Sequence, residues 1–306
     1  MYEGDEEGVS VVDYAVMWGP VEALELFMMQ DGFECERKLK GSWMEGGDEW
    51  GLLHLACRFR CVESVRLLLA SGRFDLEEKT KLGRCPLYLS GMDELMYKPR
   101  RDGGNIRISY PVTMAAFEET REELERGLEV MRILKEGGAD VNSLSGSNEW
   151  TPLHILARMG DSVVELGKYL LDNRAEVDKT DKLGRTPLHV AVLGAMANDL
   201  GADTPLNAFR RTKLRETESP EIVKLLLGNG ADIDAKMNDG FTALDIVLTL
   251  GLSKMEGVLR NAGAEESGRV WKYEAFVPLP PTIRGLGRGS GRILNEREEY
   301  ESNIPW

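Results

Sequence analysis

The sequence predicts an all-α solenoid of helix-turn-helix units stacked side by side, with hairpin tips between units and an extended C-terminal tail. Two recurring phrases and their spacing predict it. The first is Thr186-Pro187-Leu188-His189-Val190-Ala191. It appears one unit earlier as Thr151-Pro152-Leu153-His154-Ile155-Leu156, and in worn form as Gly51-Leu52-Leu53-His54-Leu55-Ala56 and Thr242-Ala243-Leu244-Asp245. The second phrase is an apolar run closed by a turn, as in 65–72, 133–142 and 222–234. The pair recurs with a period of about 33 residues.

Thr-Pro-Leu-His, followed by Leu-Leu-Leu-x-x-Gly-Ala-Asp-Val-Asn at this period, resembles the ankyrin repeat. Residues 150–182 and 185–265 carry the resemblance almost verbatim, and residues 10–145 more loosely. The motif also makes physical sense by itself. A Thr before an apolar run caps a helix by accepting an otherwise unpaired backbone N–H. Pro then suits the first helical turn, where its missing N–H costs nothing. Leu153 and Leu188 are expected to point into the stack, and Gly160 to end its helix with a positive φ. One such helix pair has too little core to be stable alone, so stability must come from the array.

The chain divides into an acidic tip at 1–9, the solenoid at 10–265 and a tail at 266–306. The first repeat opens at Ser10-Val11-Val12-Asp13, a capping-box pattern with Asp where later units have His, and its second helix begins at Val21. Residues 33–49 form a longer connection, with Trp43 and Trp50 at its exposed end. The second repeat spans about 50–82. The third starts at Cys85-Pro86-Leu87-Tyr88 and holds an insertion at about 92–120, since Tyr97–Gly104 is too polar and broken to be a second helix. Leu124, Leu128, Met131 and Leu134 then recur at helical spacing. The fourth repeat spans 150–182. The fifth, 185–237, has a second insertion at about 195–219, and the sixth, 240–264, repeats the Thr-x-x-Asp start. Both insertions fall between the two helices of their unit. Their basic clusters, among them Arg100, Arg101, Arg210 and Arg211, read either as a binding edge or as solvated loops balancing Glu118, Glu119, Glu122 and Glu123. In the tail, Trp271, Tyr273, Phe276 and Trp306 are aromatics that a linker normally lacks. The first part of the tail is expected to pack on the array and 282–306 to reach a partner.

A net charge of −14 argues against nucleic acid. No apolar run reaches the length that spans a bilayer, and the acidic start is unlike a secretion signal. Cys35, Cys57, Cys61 and Cys85 lack Cys-x-x-Cys spacing and read as reduced thiols of an intracellular, cytoplasmic protein. Cys57 and Cys61, four apart, fit a packing role better than a metal clip. All three histidines, His54, His154 and His189, occupy the motif position. In the family that His is structural, which removes each of them as base or ligand. Phosphate-loop and nucleophile-elbow motifs are lacking. The expectation is a protein that is not an enzyme and takes no cofactor or metal.

What remains is recognition of a protein. The residue before each phrase is expected to project from the tip: Trp50, Arg84, Trp150, Arg185 and Phe241; for Trp50 and Trp150 the alternative is that they lie flat over the adjacent tip as packing. Arg58, Phe59, Arg158 and Met159 add inner-helix positions. Aromatics and arginines carry binding energy at interfaces. The resemblance therefore implies an adaptor or scaffold. The alternative is a structural subunit of a large cytoskeletal, ciliary or organelle complex, anchored by its insertions and tail.

Overall fold

The computed structural model describes residues 4, 8–39, 48–91, 121–197 and 220–269. Six helix pairs follow one another among them. The inner row is α1 (Val11–Trp18), α3 (Leu52–Arg58), α5 (Pro86–Ser90), α7 (Pro152–Met159), α9 (Pro187–Ala197) and α11 (Ala243–Leu250). The outer row is α2 (Val21–Met28), α4 (Val62–Ala70), α6 (Arg121–Glu136), α8 (Val164–Asp172), α10 (Pro220–Gly228) and α12 (Ser253–Asn261). Each inner helix packs on the next inner helix, and each outer helix on the next outer one. The core therefore runs as a strip between the rows rather than gathering at one centre. The residues of one compact unit reach to Trp271, and 272–306, a second unit, lies outside the described residues together with both insertion loops.

Local chemistry explains the inner-helix starts. Thr151 accepts the His154 N–H at Oγ1, the Thr186 hydroxyl bonds to His189 Nδ1, and Pro152 and Pro187 take the first helical position. Ser10 with Asp13, and Thr242 with Asp245, form the reciprocal capping boxes expected from their spacing. Leu153, Leu156, Leu188 and Val192 are fully buried. Burying such a side chain stabilises the fold by roughly 1.5–3 kcal/mol. Gly160 closes α7 at φ +80° and leads into a 3-10 turn, Gly160–Val163. At Gly194 the α7 and α9 backbones come so close that a Cβ would overlap the Arg158 carbonyl oxygen.

The tips are short. β structure among the described residues is limited to single antiparallel bridges, such as Leu39–Trp50 and Ser145–Trp150. Neighbouring tips are tied by backbone bonds: Gly146 N–H to the Gly83 carbonyl (2.9 Å), Lys182 N–H to that of Asn148 (3.2 Å) and Asn238 N–H to that of Leu183 (3.0 Å). Side chains add a second ladder. Glu77, Asn142 and Asp178 each accept a backbone N–H of the following repeat, from Asp140, Glu176 and Asp232. After α12 the chain keeps to this edge. Ser267 Oγ donates to Asp245 (2.7 Å), and the Arg269 guanidinium donates to the Asp239 carbonyl (3.1 Å).

Candidate partner-binding surface

The three histidines define the seams. Each Nδ1 accepts a backbone N–H from its own cap position, Gly51, Thr151 or Thr186, at 3.2 Å. A backbone amide can only donate, so Nδ1 carries no proton and Nε2 does. Nε2 then donates to the Glu78, Arg185 and Phe241 carbonyls at 2.9, 3.1 and 3.3 Å. Burial, the largest influence on all three, lowers His54 and brings His154 and His189 to about 4. These rings are neutral struts with both nitrogens committed. Asp13 and Asp245 replace them in the outermost repeats, where Asp13 takes Arg37 and Asp245 takes Ser267 as a further partner.

The residues expected to project from the tips do so only in part. Trp50 and Trp150 are 5% and 4% exposed. The Trp150 indole donates to Asp181 and the Trp50 indole to Asp48, both at 2.8 Å. Arg185 is also buried, donating through Nε and its backbone N–H to Asp181 at 2.7 and 2.8 Å. Arg58 and Phe59 are buried as well. For Trp50, Trp150 and Arg185 the physical reason is shared: a carboxylate inside the tip accepts what these indole and guanidinium donors must give, so the large side chains lie flat as packing. Trp150 sits between two cations, with Arg158 at 5.7 Å and Arg185 at 5.5 Å from its ring centre. Arg84, Arg158, Met159 and Phe241 keep partial exposure.

What the tips do expose is charged and was not legible in the repeat pattern. Lys81 pairs loosely with Glu49 (3.9 Å), and Lys182 with Glu149 (3.5 Å), while Asn238 and Asp239 stand exposed on the sixth tip. Lys81 and Lys182, at the same position of Lys-Leu-Gly-Arg in two tips, were the available signal. The insertion anchors Arg100, Arg101, Arg210 and Arg211, the tail aromatics Trp271, Tyr273, Phe276 and Trp306, and Trp43 lie outside the described residues.

Cys57 is buried, which pushes its thiol well up, and Cys61 donates its S–H to the Met17 carbonyl. Among the described residues no group of three or more His, Cys, Asp or Glu is arranged to hold a metal ion, and no helix is long and apolar enough to cross a membrane.

Comparison with known proteins places these features. A family model for ankyrin repeats in three copies matches residues 123–200, and a single ankyrin-repeat model matches 183–238. The chain is similar to the Neurogenic locus Notch protein of Drosophila melanogaster, 26% identical over 242 residues, covering 76% of this chain and 7% of that one. It is also similar to Ankyrin repeat and SOCS box protein 6 of Homo sapiens, 29% identical over 166 residues, 53% of this chain and 35% of that one. An ankyrin repeat protein of Fowlpox virus is 32% identical over 116 residues, 36% of this chain and 16% of that one. The chain thus spans only a minor part of each of these relatives.

Proposed function

Because the chain carries ankyrin repeats, whose general role is protein–protein interaction, we propose that it is a non-catalytic adaptor or scaffold of the cytoplasm, binding a protein partner along its tip edge and inner helices. One observation carries this reading. Backbone bonds hold successive tips in register, so Lys81, Glu149, Lys182 and Asn238 are presented at fixed spacing on a rigid edge. Such preorganisation reduces the ordering cost of association. The titratable groups that could do chemistry are instead spent on the seams, as the three neutral histidines illustrate. The four cysteines, none of them in a disulfide, support an intracellular setting.

Cross-linking with mass spectrometry on material from native cells tests it, comparing the full chain with one truncated after Gly263. Cross-links to another protein at Lys79, Lys179, Lys182 and Lys236 that survive truncation support the adaptor. Cross-links at Lys98, Lys213 and the tail, lost on truncation, would favour a structural subunit of a larger assembly instead.

A further inference from the structure

Charge is unevenly placed along this chain. Ten of its 52 acidic residues and none of its 38 basic ones lie in residues 1–36, so this short segment carries ten of the fourteen units of net negative charge. The same segment contains α1 and α2. Among the described residues, the large apolar side chains that stand most exposed are Val11 (51%), Tyr14 (38%), Leu26 (62%) and Met29 (68%), all of them in this first helix pair. Acidity and exposed apolar surface therefore coincide.

The exposed residues form stripes. Val11, Tyr14 and Trp18 recur at i, i+3 and i+7 on the side of α1 away from buried Val12 and Val16. The Tyr14 and Trp18 ring centres are 5.5 Å apart, and Trp18 meets Phe59 of the next repeat edge-on at 5.5 Å, which braces the stripe. On α2, Leu26 and Met29 lie opposite buried Leu24, beside the exposed carboxylates Glu22 and Glu25. The pair packs against α3 and α4 on one side only. Among the described residues the remaining face of the pair is apolar and acidic together.

We propose that the first repeat docks a basic amphipathic helix of the partner protein, a segment with apolar residues at i, i+3 or i+4 and i+7 flanked by Lys and Arg. This deepens the protein-binding reading above and rests on it. Charge decides the occupant. A second copy would bring two strongly acidic segments into contact, well within a Debye length of about 8 Å at physiological salt. An anionic membrane or a nucleic acid meets the same repulsion. A basic helix gains apolar contact with Tyr14, Leu26 and Met29, and its charges are steered by Glu22 and Glu25. Each helix of the pair has eight residues, a length of about 12 Å, so two to three turns of the partner suffice.

The test uses the full chain and a fluorescent two-heptad helical peptide of leucine and lysine, with a leucine–glutamate peptide as control, read by anisotropy. The lysine peptide binds, more weakly as salt rises, and the glutamate peptide does not. The Leu26→Ser/Met29→Ser pair weakens binding about tenfold or more, as for interface anchors, and so does the Glu22→Lys/Glu25→Lys pair. These side chains are exposed, and unchanged thermal melts confirm that the variants remain folded. Lys81→Ser with Lys182→Ser, at the tips, leaves peptide binding unchanged. Binding that ignores the first-repeat substitutions, or a dimer in sedimentation that depends on Leu26 and Met29, overturns the proposal. If the peptide result fails while native cross-links fall on the tip lysines, the adaptor reading survives without this site. If no protein is cross-linked at all, the adaptor reading itself falls.

Discussion

At Trp150 the indole N–H reaches forward 31 residues to Asp181, whereas at Trp50 it turns back to Asp48, two residues away. The surroundings are otherwise alike. Asp181 accepts the N–H groups of Leu183 and Arg185 in its own turn. Asp48 accepts Leu82 N–H and the Thr80 hydroxyl from the tip of the following repeat. Thr80 stands where Asp181 stands, in Thr80-Lys81-Leu82-Gly83-Arg84 against Asp181-Lys182-Leu183-Gly184-Arg185. Both seams need one buried carboxylate. One takes it from the tip and the other from the connection before it. The tip thus requires a charge at a point in space rather than at a point in the repeat.

Substituting the two acids gives the largest expected contrast. Asp181→Ala strands the buried Arg185 guanidinium and lowers stability by about 3–5 kcal/mol in urea unfolding. Asp48→Ala removes the acceptor of Trp50, Thr80 and Leu82, but Arg84 there keeps more access to solvent, so the loss is about 1–3 kcal/mol. Adding Thr80→Asp to Asp48→Ala should recover most of that loss, while Thr80→Asp alone places two carboxylates together and destabilises. Equal losses at the two acids, or no recovery in the double variant, would break the comparison.

Acid sharpens it next. The folded values of His154 and His189, about 4, lie below the 6.5 of a free ring. Between these values the unfolded chain binds more protons, so stability is complete above pH ~6.5 and falls as pH drops toward 4. By pH 5 each of these rings contributes about 2 kcal/mol less than at neutral pH. His154 stacks on Trp150 with ring centres 6.4 Å apart, so Trp150 fluorescence should report the loosening. A melting temperature flat from pH 7 to 5 would contradict the assigned tautomers.

A smaller contrast is steric. Gly83 and Gly184 both hold positive φ, +78° and +71°. A Cβ at Gly83 would find its nearest neighbour, Gly146 N, at 3.6 Å, so Gly83→Ala bears only the conformational penalty of about 1–2 kcal/mol. At Gly184 a Cβ would overlap the Asn238 side chain and lie 2.8 Å from its backbone N, so Gly184→Ala should melt at the lower temperature. The smallest contrast concerns the indoles. Trp50→Phe and Trp150→Phe each lose one bond to a carboxylate, but Trp150 also gives up part of its contact with two cations. It should cost about 1 kcal/mol more in denaturant titration.

The parts of this molecule that were legible in sequence are those whose chemistry closes within a few residues. Thr151 and His154, or Ser10 and Asp13, meet inside one helical turn, so their spacing already states the bond. The insertions are read only from excess length between two recognisable phrases, and their loops lie outside the described residues. Trp50 and Trp150 were not legible, because their burial depends on Asp48 and Asp181, and in one case the acid lies 31 residues away. Arg185 misled for the same reason, since an arginine before a cap reads as exposed until its carboxylate is placed. Val11, Tyr14, Leu26 and Met29 escaped notice because exposure depends on which elements pack against α1 and α2, which no local pattern encodes. The absence of Lys and Arg before Arg37 was the available sign.

The Asp48 arrangement also bears on how such an array drifts through generations. If either of two positions can furnish the tip carboxylate, neither is individually indispensable, and a lineage can pass from one to the other through a short-lived state holding both or neither. Among descendants the two sites should then vary as a linked pair, with acid at one and a small hydroxyl or neutral residue at the other. A reader scoring each position alone would see two permissive sites where the molecule has a single strict one.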